Sequence, residues 1–254
     1  LPLNAANATL ELVGGKGASL ARMVEARLPV PPGFFITTAA YRRFVVQNEL
    51  QEHILTAVSA ISVDEPVTLD EASQQIEKLF MEATIPDEMA ETIRRAYNEL
   101  GGDEIDEEDG LAVAVRSSAT AEDLPEMSFA GQQETYLNIR GATRVLEAVK
   151  RCWASLWTAR AIGYRARHDI APADVSLAVV VQELIAADAS GILFTANPLT
   201  GARDQEMLNA AWGLGEAIVG GQVTPDTVVV DKASGNVLTQ DIAEKQVMTV
   251  CTST

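Results

Sequence analysis

A glycine-rich segment with one lysine, Gly14-Gly15-Lys16-Gly17, lies near the start of the chain. Glycines allow the backbone to turn successive N–H groups toward an anion, and the helix predicted from Ala18 to Ala26 would add its positive end. Lys16 would add a full charge. The spacing of a Walker A loop is absent, and such a segment can also be a plain turn at a helix start. It is a candidate phosphate site.

Arg116 is the second candidate. It follows a predicted strand, Leu111 to Val115, and precedes Ser117 and Ser118. An arginine at the end of a buried strand suits bidentate binding of phosphate. An ion pair with one of the many carboxylates explains the same residue equally well, so the segment leaves both interpretations open.

Two further segments can enclose a ligand. Residues 117–133 contain few apolar side chains, which predicts a long loop that is either a lid over a ligand or a surface excursion. A strand is predicted at Val175 to Val181. At its end, backbone groups of the four residues that follow can hydrogen-bond an adenine edge, although the same residues also fit a plain core strand. These four residues are Gln182, Glu183, Leu184 and Ile185.

Helices and strands are both predicted around these segments. Apolar spacing predicts helices at Leu69 to Ala83 and Asp87 to Leu100, and one long helix from Thr143 to His168. Further strands are predicted at Phe34 to Ile36, Gly191 to Phe194, Thr227 to Asp231 and Val237 to Thr239. Because strands are concentrated in the second half, the predicted fold class is α+β.

The 254-residue chain carries a net charge of −17. Nucleic acids and anionic membranes both require a basic face, so we expect neither as a partner. Cys152 and Cys251 lack the spacing of a disulfide framework, and no apolar run is long enough to span a bilayer. These features predict a cytoplasmic protein. ATP is still a possible ligand, because a few cations and N–H groups that converge in one cleft can bind a polyanion.

Taken together, the candidate segments resemble a known family. The matching stretches are Val13 to Leu20, Val30 to Phe34, Val115 to Pro125 and Ser128 to Thr135, extended by Ala189 to Pro198 and Ala211 to Glu216. They are very similar to the N-terminal domain of phosphoenolpyruvate synthase, pyruvate phosphate dikinase and rifampicin phosphotransferase. The resemblance covers essentially the whole chain.

The resemblance implies an ATP-grasp fold, in which residues 1–254 form one nucleotide-binding domain of two lobes that is incomplete at its C-terminus. It implies that Lys16 and Arg116 contact ATP phosphates. Gly131, with Gln132 beside it, lies in the segment that matches the family's glycine loop over the phosphates. The stretch from Gln182 to Ile185 matches the linker between the lobes, whose backbone meets adenine near residues 182–185.

For the full-length protein, the resemblance implies transfer of a phosphoryl group from ATP to a histidine on another domain. The group then passes to an acceptor, either pyruvate or an antibiotic of the rifamycin type, with release of AMP and phosphate. The partners would be ATP and the phosphohistidine and acceptor-binding domains of the same chain. The alternative is a nucleotide-binding or interaction module without catalysis.

The sequence also departs from the family. The family's magnesium-binding segment and its Thr-Ser-His signature do not occur before Thr254. We therefore assign no metal ligand within the chain, expect the main Mg²⁺ ligands beyond it, and expect the fragment alone to be inactive. His53 and His168 lack the neighbours of a phosphocarrier, so we expect both at the surface. Glu216 falls in a family motif, but the sequence assigns it no role.

Overall fold

The structure is a computed structural model that describes residues 1–62, 65–102, 110–120, 134–168 and 170–252. It divides into two compact units, Leu1–Leu184 and Ile185–Thr254. Both combine helices with antiparallel sheet, which confirms the predicted α+β class. Within the described ranges, every helix is too short or too polar to cross a bilayer.

The first unit contains most of the helices. Its described elements, in chain order, are α1 Leu10–Glu25, β1 Gly33–Ile36, α2 Thr38–Gln47, α3 Leu50–Ser59, α4 Pro66–Glu82, α5 Asp87–Gly101, β2 Val113–Ala119, β3 Thr135–Ile139, α6 Ala142–Ala154, α7 Ala159–Arg167 and β4 Leu177–Glu183. Short 3₁₀ turns occur at Ser155–Trp157 and Pro172–Asp174.

The sheet of the first unit has the strand order β1-β4-β2-β3, with every neighbouring pair antiparallel. β4 is apolar throughout Leu177–Val181 because both faces of the sheet are covered. On one face, Val180 packs with Phe35 and with Val13 of α1. On the other face, Val179 and Val181 belong to the large core formed with α2 to α7.

Aromatic side chains fill the centre of that large core. Phe44, Phe80 and Trp153 are fully buried, and the rings of Phe44 and Trp153 have centroids 4.8 Å apart. Tyr41 stacks on Phe80, and its hydroxyl accepts a hydrogen bond from Nε1 of Trp157 at 3.0 Å. The amphipathic helices predicted from the sequence bury their apolar faces against this cluster.

The single helix predicted from Thr143 to His168 is wrong, because the chain forms two helices there. After α6, the chain passes through the 3₁₀ turn Ser155–Trp157, and α7 begins after Thr158. The Thr158 hydroxyl accepts a hydrogen bond from the amide of Ala161 at 3.3 Å, which is the geometry of a helix N-cap. The helices predicted near residues 69–83 and 87–100 correspond to α4 and α5.

The second unit is built on a four-stranded antiparallel sheet in the order β5-β6-β7-β8. Its elements are β5 Ala189–Phe194, β6 Gln205–Trp212, a short helix α8 Glu216–Val219, β7 Asp226–Asp231 and β8 Val237–Asp241. Met207, Ala211, Leu214 and Ala217 form its buried interior. An ion pair between Asp226 and Lys245 ties the chain after β8 to β7.

Candidate functional site

The glycine-rich segment lies inside a helix rather than before one. α1 begins at Leu10 and is interrupted at Gly14, whose φ of 70° and ψ of 178° are accessible essentially only to glycine. A Cβ at Gly14 would lie 2.3 Å from the backbone oxygen of Ser118. Gly14 therefore has two functions: it kinks the helix, and it allows α1 to lie directly against β2.

Ser118 holds this contact together. Its buried hydroxyl donates to the carbonyl oxygen of Val13 at 2.7 Å and accepts from the amide of Gly17 at 3.1 Å. The amide of Gly17 is thus satisfied within the protein. This corrects the expectation that the successive N–H groups of the segment all point toward an anion, because at least one of them binds a side chain of β2.

The contact between α1 and β2 also brings the side chain of Lys16 against β2. Its Nζ donates to the carbonyl oxygen of Ser117 at 3.2 Å, and its side chain is partly buried. This bond holds the ammonium group of Lys16 against the backbone of β2. The folded α1 therefore brings the candidate lysine to the residue that directly follows Arg116.

Arg116 lies in the interior of β2, which corrects the prediction that it ends a strand. β2 continues to Ala119 because Ser117 and Ser118 pair with β4. Arg116 is opposite Val180 and two residues from Ser118, so it belongs to the face of the sheet that α1 covers. It is only partly buried, although residues 113–119 around it are otherwise fully buried. Lys16 of α1 and Arg116 of β2 thus lie on the same face of the sheet.

The segment from Gln182 to Ile185, whose first two residues still belong to β4, uses part of its backbone within the first unit. The amide of Glu183 donates to the oxygen of Pro32, and that of Leu184 donates to the oxygen of Ala112, both at 2.9 Å. The Gln182 side chain donates to the oxygen of Pro31 at 3.0 Å. Ile185 is exposed and begins the second unit. The amides of Glu183 and Leu184 are therefore not donors for a ligand in this structure.

The remaining predicted residues divide into three groups. Gly131 and Gln132 lie outside the described residues. His53 and His168 are exposed, as expected. Glu216 begins the short helix α8. Among the residues that the structure describes, no group of three or more His, Cys, Asp or Glu side chains could hold a metal ion.

Sequence reasoning missed the part that Ser118 plays in this site. By composition, a Ser-Ser pair next to an arginine indicates the start of a loop with hydroxyls near phosphate. Two features of the sequence could have indicated the contact, namely a glycine-rich segment and a pair of small polar residues. Two backbones can approach closely only where the residues on both sides are small.

Residues 10–254 match the family model described as the pyruvate phosphate dikinase AMP/ATP-binding domain. The chain belongs to this family.

Curated relatives are similar over nearly the whole chain. The phosphoenolpyruvate synthase of Pyrococcus furiosus is 45% identical, and the alignment covers 94% of this chain and 33% of the relative. The probable phosphoenolpyruvate synthase of Methanocaldococcus jannaschii is 47% identical, with 96% and 20% covered. The phosphoenolpyruvate synthase of Aeropyrum pernix is 47% identical, with 93% and 29% covered. The chain thus spans a third or less of the length of these relatives.

Proposed function

We propose that this chain binds ATP through Lys16 and Arg116 and supplies the nucleotide-binding part of a dikinase-type phosphotransferase. The observation that carries the proposal is the docking of the glycine-rich segment on β2, which brings Lys16 to the residue beside Arg116. Two cations on one face of the sheet, one from α1 and one from β2, suit an anionic ligand. Membership of an AMP/ATP-binding family supports a nucleotide as that ligand.

In this proposal the two cations have different roles. The planar guanidinium of Arg116 can bind two oxygens of one phosphate, whereas the Lys16 ammonium acts as a point charge that its hydrogen bond to the oxygen of Ser117 helps to orient. Their positive charges neutralise the phosphate oxygens and hold them for in-line transfer. We further propose that Gly131 and Gln132 contact the phosphates, as the family resemblance implies.

The adenine would be bound by the segment from Gln182 to Ile185, as part of an ATP-grasp fold. Since the amides of Glu183 and Leu184 are used within the protein, the groups proposed for adenine are the carbonyl oxygen of Glu183 and the amide of Ile185. An exocyclic amine donates and a ring nitrogen accepts, so this donor and acceptor pair matches the edge of adenine.

Mg²⁺ belongs to the proposal only for the larger protein. The described residues contain no cluster of metal ligands, and we propose that the magnesium ligands lie outside them. The part played by Lys16 and Arg116 is to bind and orient the phosphates.

For the whole protein we propose the reaction of a phosphoenolpyruvate synthase-type enzyme. A phosphoryl group moves from ATP to a histidine on another domain and then to an acceptor, and AMP and phosphate are released. The names of the three relatives favour pyruvate over a rifamycin as the acceptor. A nucleotide-binding module without catalysis is the alternative, because the chain covers only a third or less of those relatives.

Nuclear magnetic resonance of the chain with ATP tests the binding proposal, since it detects even millimolar affinity. We expect amide signals of Lys16, Ser117 and Ser118 to shift and to saturate with ATP. Inorganic sulfate is the control for nonspecific attraction of anions. Unchanged signals at these residues, with or without Mg²⁺, would contradict the proposal.

A further inference from the structure

The first unit contains a cavity of about 340 Å³ on the side of the sheet opposite α1. Trp157 and Ile162, which line it, belong to the large core, whereas α1 packs against the other face of the sheet. Its remaining walls include Val58, in the last turn of α3, and Ile61, which follows the end of that helix. The volume is within the range of pockets that bind small molecules. The cavity is separate from the Lys16 and Arg116 site.

One wall of this cavity carries a buried cation. The Arg165 side chain is only 4% exposed and lines the cavity from α7. Its guanidinium carbon lies 4.8 Å from the centre of the Trp157 ring, and one of its terminal nitrogens donates to the oxygen of Leu156 at 2.5 Å. Burial lowers the pKa of Arg165 to about 10, so the group is still charged at neutral pH.

The described residues supply no counter-ion to this cation. Ion pairs among the described residues include Arg43–Glu88, Lys78–Glu82, Arg94–Glu91 and Lys245–Asp226, and none of these involves Arg165. Within the described residues, the Arg165 guanidinium donates a hydrogen bond through one terminal nitrogen, to the oxygen of Leu156. A buried charge is costly unless it is paired. Such a group at the wall of a cavity is therefore suited to a ligand of opposite charge.

We propose that the cavity lined by Arg165 and Trp157 binds a small monoanionic carboxylate with an apolar body. A planar guanidinium matches the two oxygens of a carboxylate. Arg165 is the only cation among the described lining residues, so a dianion such as a phosphate would leave one negative charge without a partner. Val58, Ile61 and Ile162 supply aliphatic walls for the body of the ligand.

Titration calorimetry of the chain with hexanoate tests this proposal, with hexanol as the uncharged control and hexylphosphonate as the dianion. We expect saturable binding of hexanoate, and at least tenfold weaker binding of hexanol and hexylphosphonate. The indole N–H signal of Trp157 should shift with hexanoate, which locates the ligand. The proposal would be overturned if neither hexanoate nor a short peptide acid ending in leucine binds. Equal binding of hexanol, or tighter binding of hexylphosphonate, would also overturn it.

Two substitutions in the wall of the cavity, together with one control substitution, test the site. Arg165→Met should weaken hexanoate at least tenfold, whereas Arg167→Met, at an exposed arginine on the same helix, should leave the affinity unchanged. Ala166→Leu keeps the cation and reduces the cavity, so it should also weaken hexanoate, and it decides the matter if Arg165→Met does not fold. If Ala166→Leu has unchanged affinity, and Arg165→Met folds and also binds hexanoate normally, this cavity is excluded as the binding site.

The carboxylate can come from a free acid or from the end of a polypeptide. The short peptide ending in leucine, compared with its C-terminal amide, distinguishes these sources. Binding of the peptide acid but not of hexanoate would assign the site to a chain terminus, and binding of hexanoate alone would assign it to a small metabolite. Equal binding of the peptide acid and its amide would contradict recognition of a carboxylate.

Discussion

Lys16 and Arg116 are candidates for phosphate binding because both lie at β2, Arg116 within the strand and Lys16 in contact with it from α1. Lys16 reaches β2 through its bond to the oxygen of Ser117, and Arg116 lies next to that residue. Neither residue belongs to the large core on the other face of the sheet. Their removal should therefore affect the ligand more than the fold.

We expect Lys16→Ala and Arg116→Ala each to weaken ATP binding without unfolding the protein. Losing one charge-assisted contact to phosphate should cost roughly 1.5–3 kcal/mol, which corresponds to roughly tenfold to a hundredfold in affinity. ATP titration of both variants measures this. Lys78→Ala removes an exposed lysine of α4 and is the matched control for charge. Wild-type affinity in both variants would remove these residues from the site.

At the same scale, Ser118 is expected to be structural. Ser118→Ala removes the hydroxyl that joins Val13 to Gly17 and leaves a buried carbonyl and a buried amide without that partner. The free energy of unfolding should fall by about 1–3 kcal/mol. Urea denaturation measures it, with Ser59→Ala at an exposed serine as the control. Equal stability of the two variants would mean that the contact between α1 and β2 does not depend on this hydroxyl.

At the scale of elements, the sequence predicts those whose pattern is local. The predictions for α4 and α5 agree with the structure within a few residues, because their apolar spacing is regular and Pro86 marks the start of α5. α4 begins at Pro66, a few residues before its predicted start. The sequence does not predict the break between α6 and α7, because apolar residues continue at helical spacing through the 3₁₀ turn. It does not predict β6 either, since that strand includes Gln205, Asn209 and two alanines, which are weak strand formers.

The extent of β2 shows why part of the candidate site could not be predicted. Ser117 to Ala119 resemble loop residues by composition, yet they are strand because β4 pairs with them and α1 lies against them. Both partners are distant in sequence. The sequence alone shows the charged candidates Lys16 and Arg116. It does not show the strand pairing and the helix contact that bring them to one face of the sheet.

The kink in α1 leads to a prediction for Gly14. Gly14→Ala requires a positive φ with an extended ψ and also places a Cβ 2.3 Å from the Ser118 oxygen, so α1 must move away from β2. The backbone conformation alone costs about 1–3 kcal/mol. Gly102→Ala also has a positive φ but open space around it, and is the matched control. In urea denaturation we expect the larger loss in Gly14→Ala, and a loss no greater than that of Gly102→Ala would contradict the close contact.

In the second unit, the pair Asp226–Lys245 predicts a dependence of stability on pH. The hydrogen bond from Lys245 lowers the pKa of Asp226 below its ordinary value. A carboxyl with a lowered folded pKa stabilises the protein above its unfolded pKa of about 3.9, and this stability is lost as the pH falls through the lower folded value. Thermal unfolding of Asp226→Asn should therefore show a smaller loss on acidification than the wild type. Asp241→Asn keeps the pair and is the control, and parallel curves for the wild type and Asp226→Asn would refute the linkage.

At the scale of the whole molecule, we expect the chain alone to release no AMP from ATP. The described residues contain no metal cluster, and both described histidines lack the neighbours of a phosphocarrier. Radiolabelled ATP with Mg²⁺ measures the product against a control of buffer alone. AMP above the buffer background would show that this chain is catalytically sufficient, and it would contradict the proposed division of tasks among domains.

The strand order of the first sheet has a consequence for synthesis on the ribosome. β4 lies between β1 and β2, but it is the last of the four strands to leave the exit tunnel. At a rate of synthesis of about 5–20 residues per second, β1 is without its neighbouring strand β4 for on the order of ten seconds. During that time the nascent chain exposes the apolar edge residues Phe34, Phe35 and Ile36. Chaperone occupancy of the ribosome-bound chain should therefore persist until Leu177–Glu183 has emerged, and then decline.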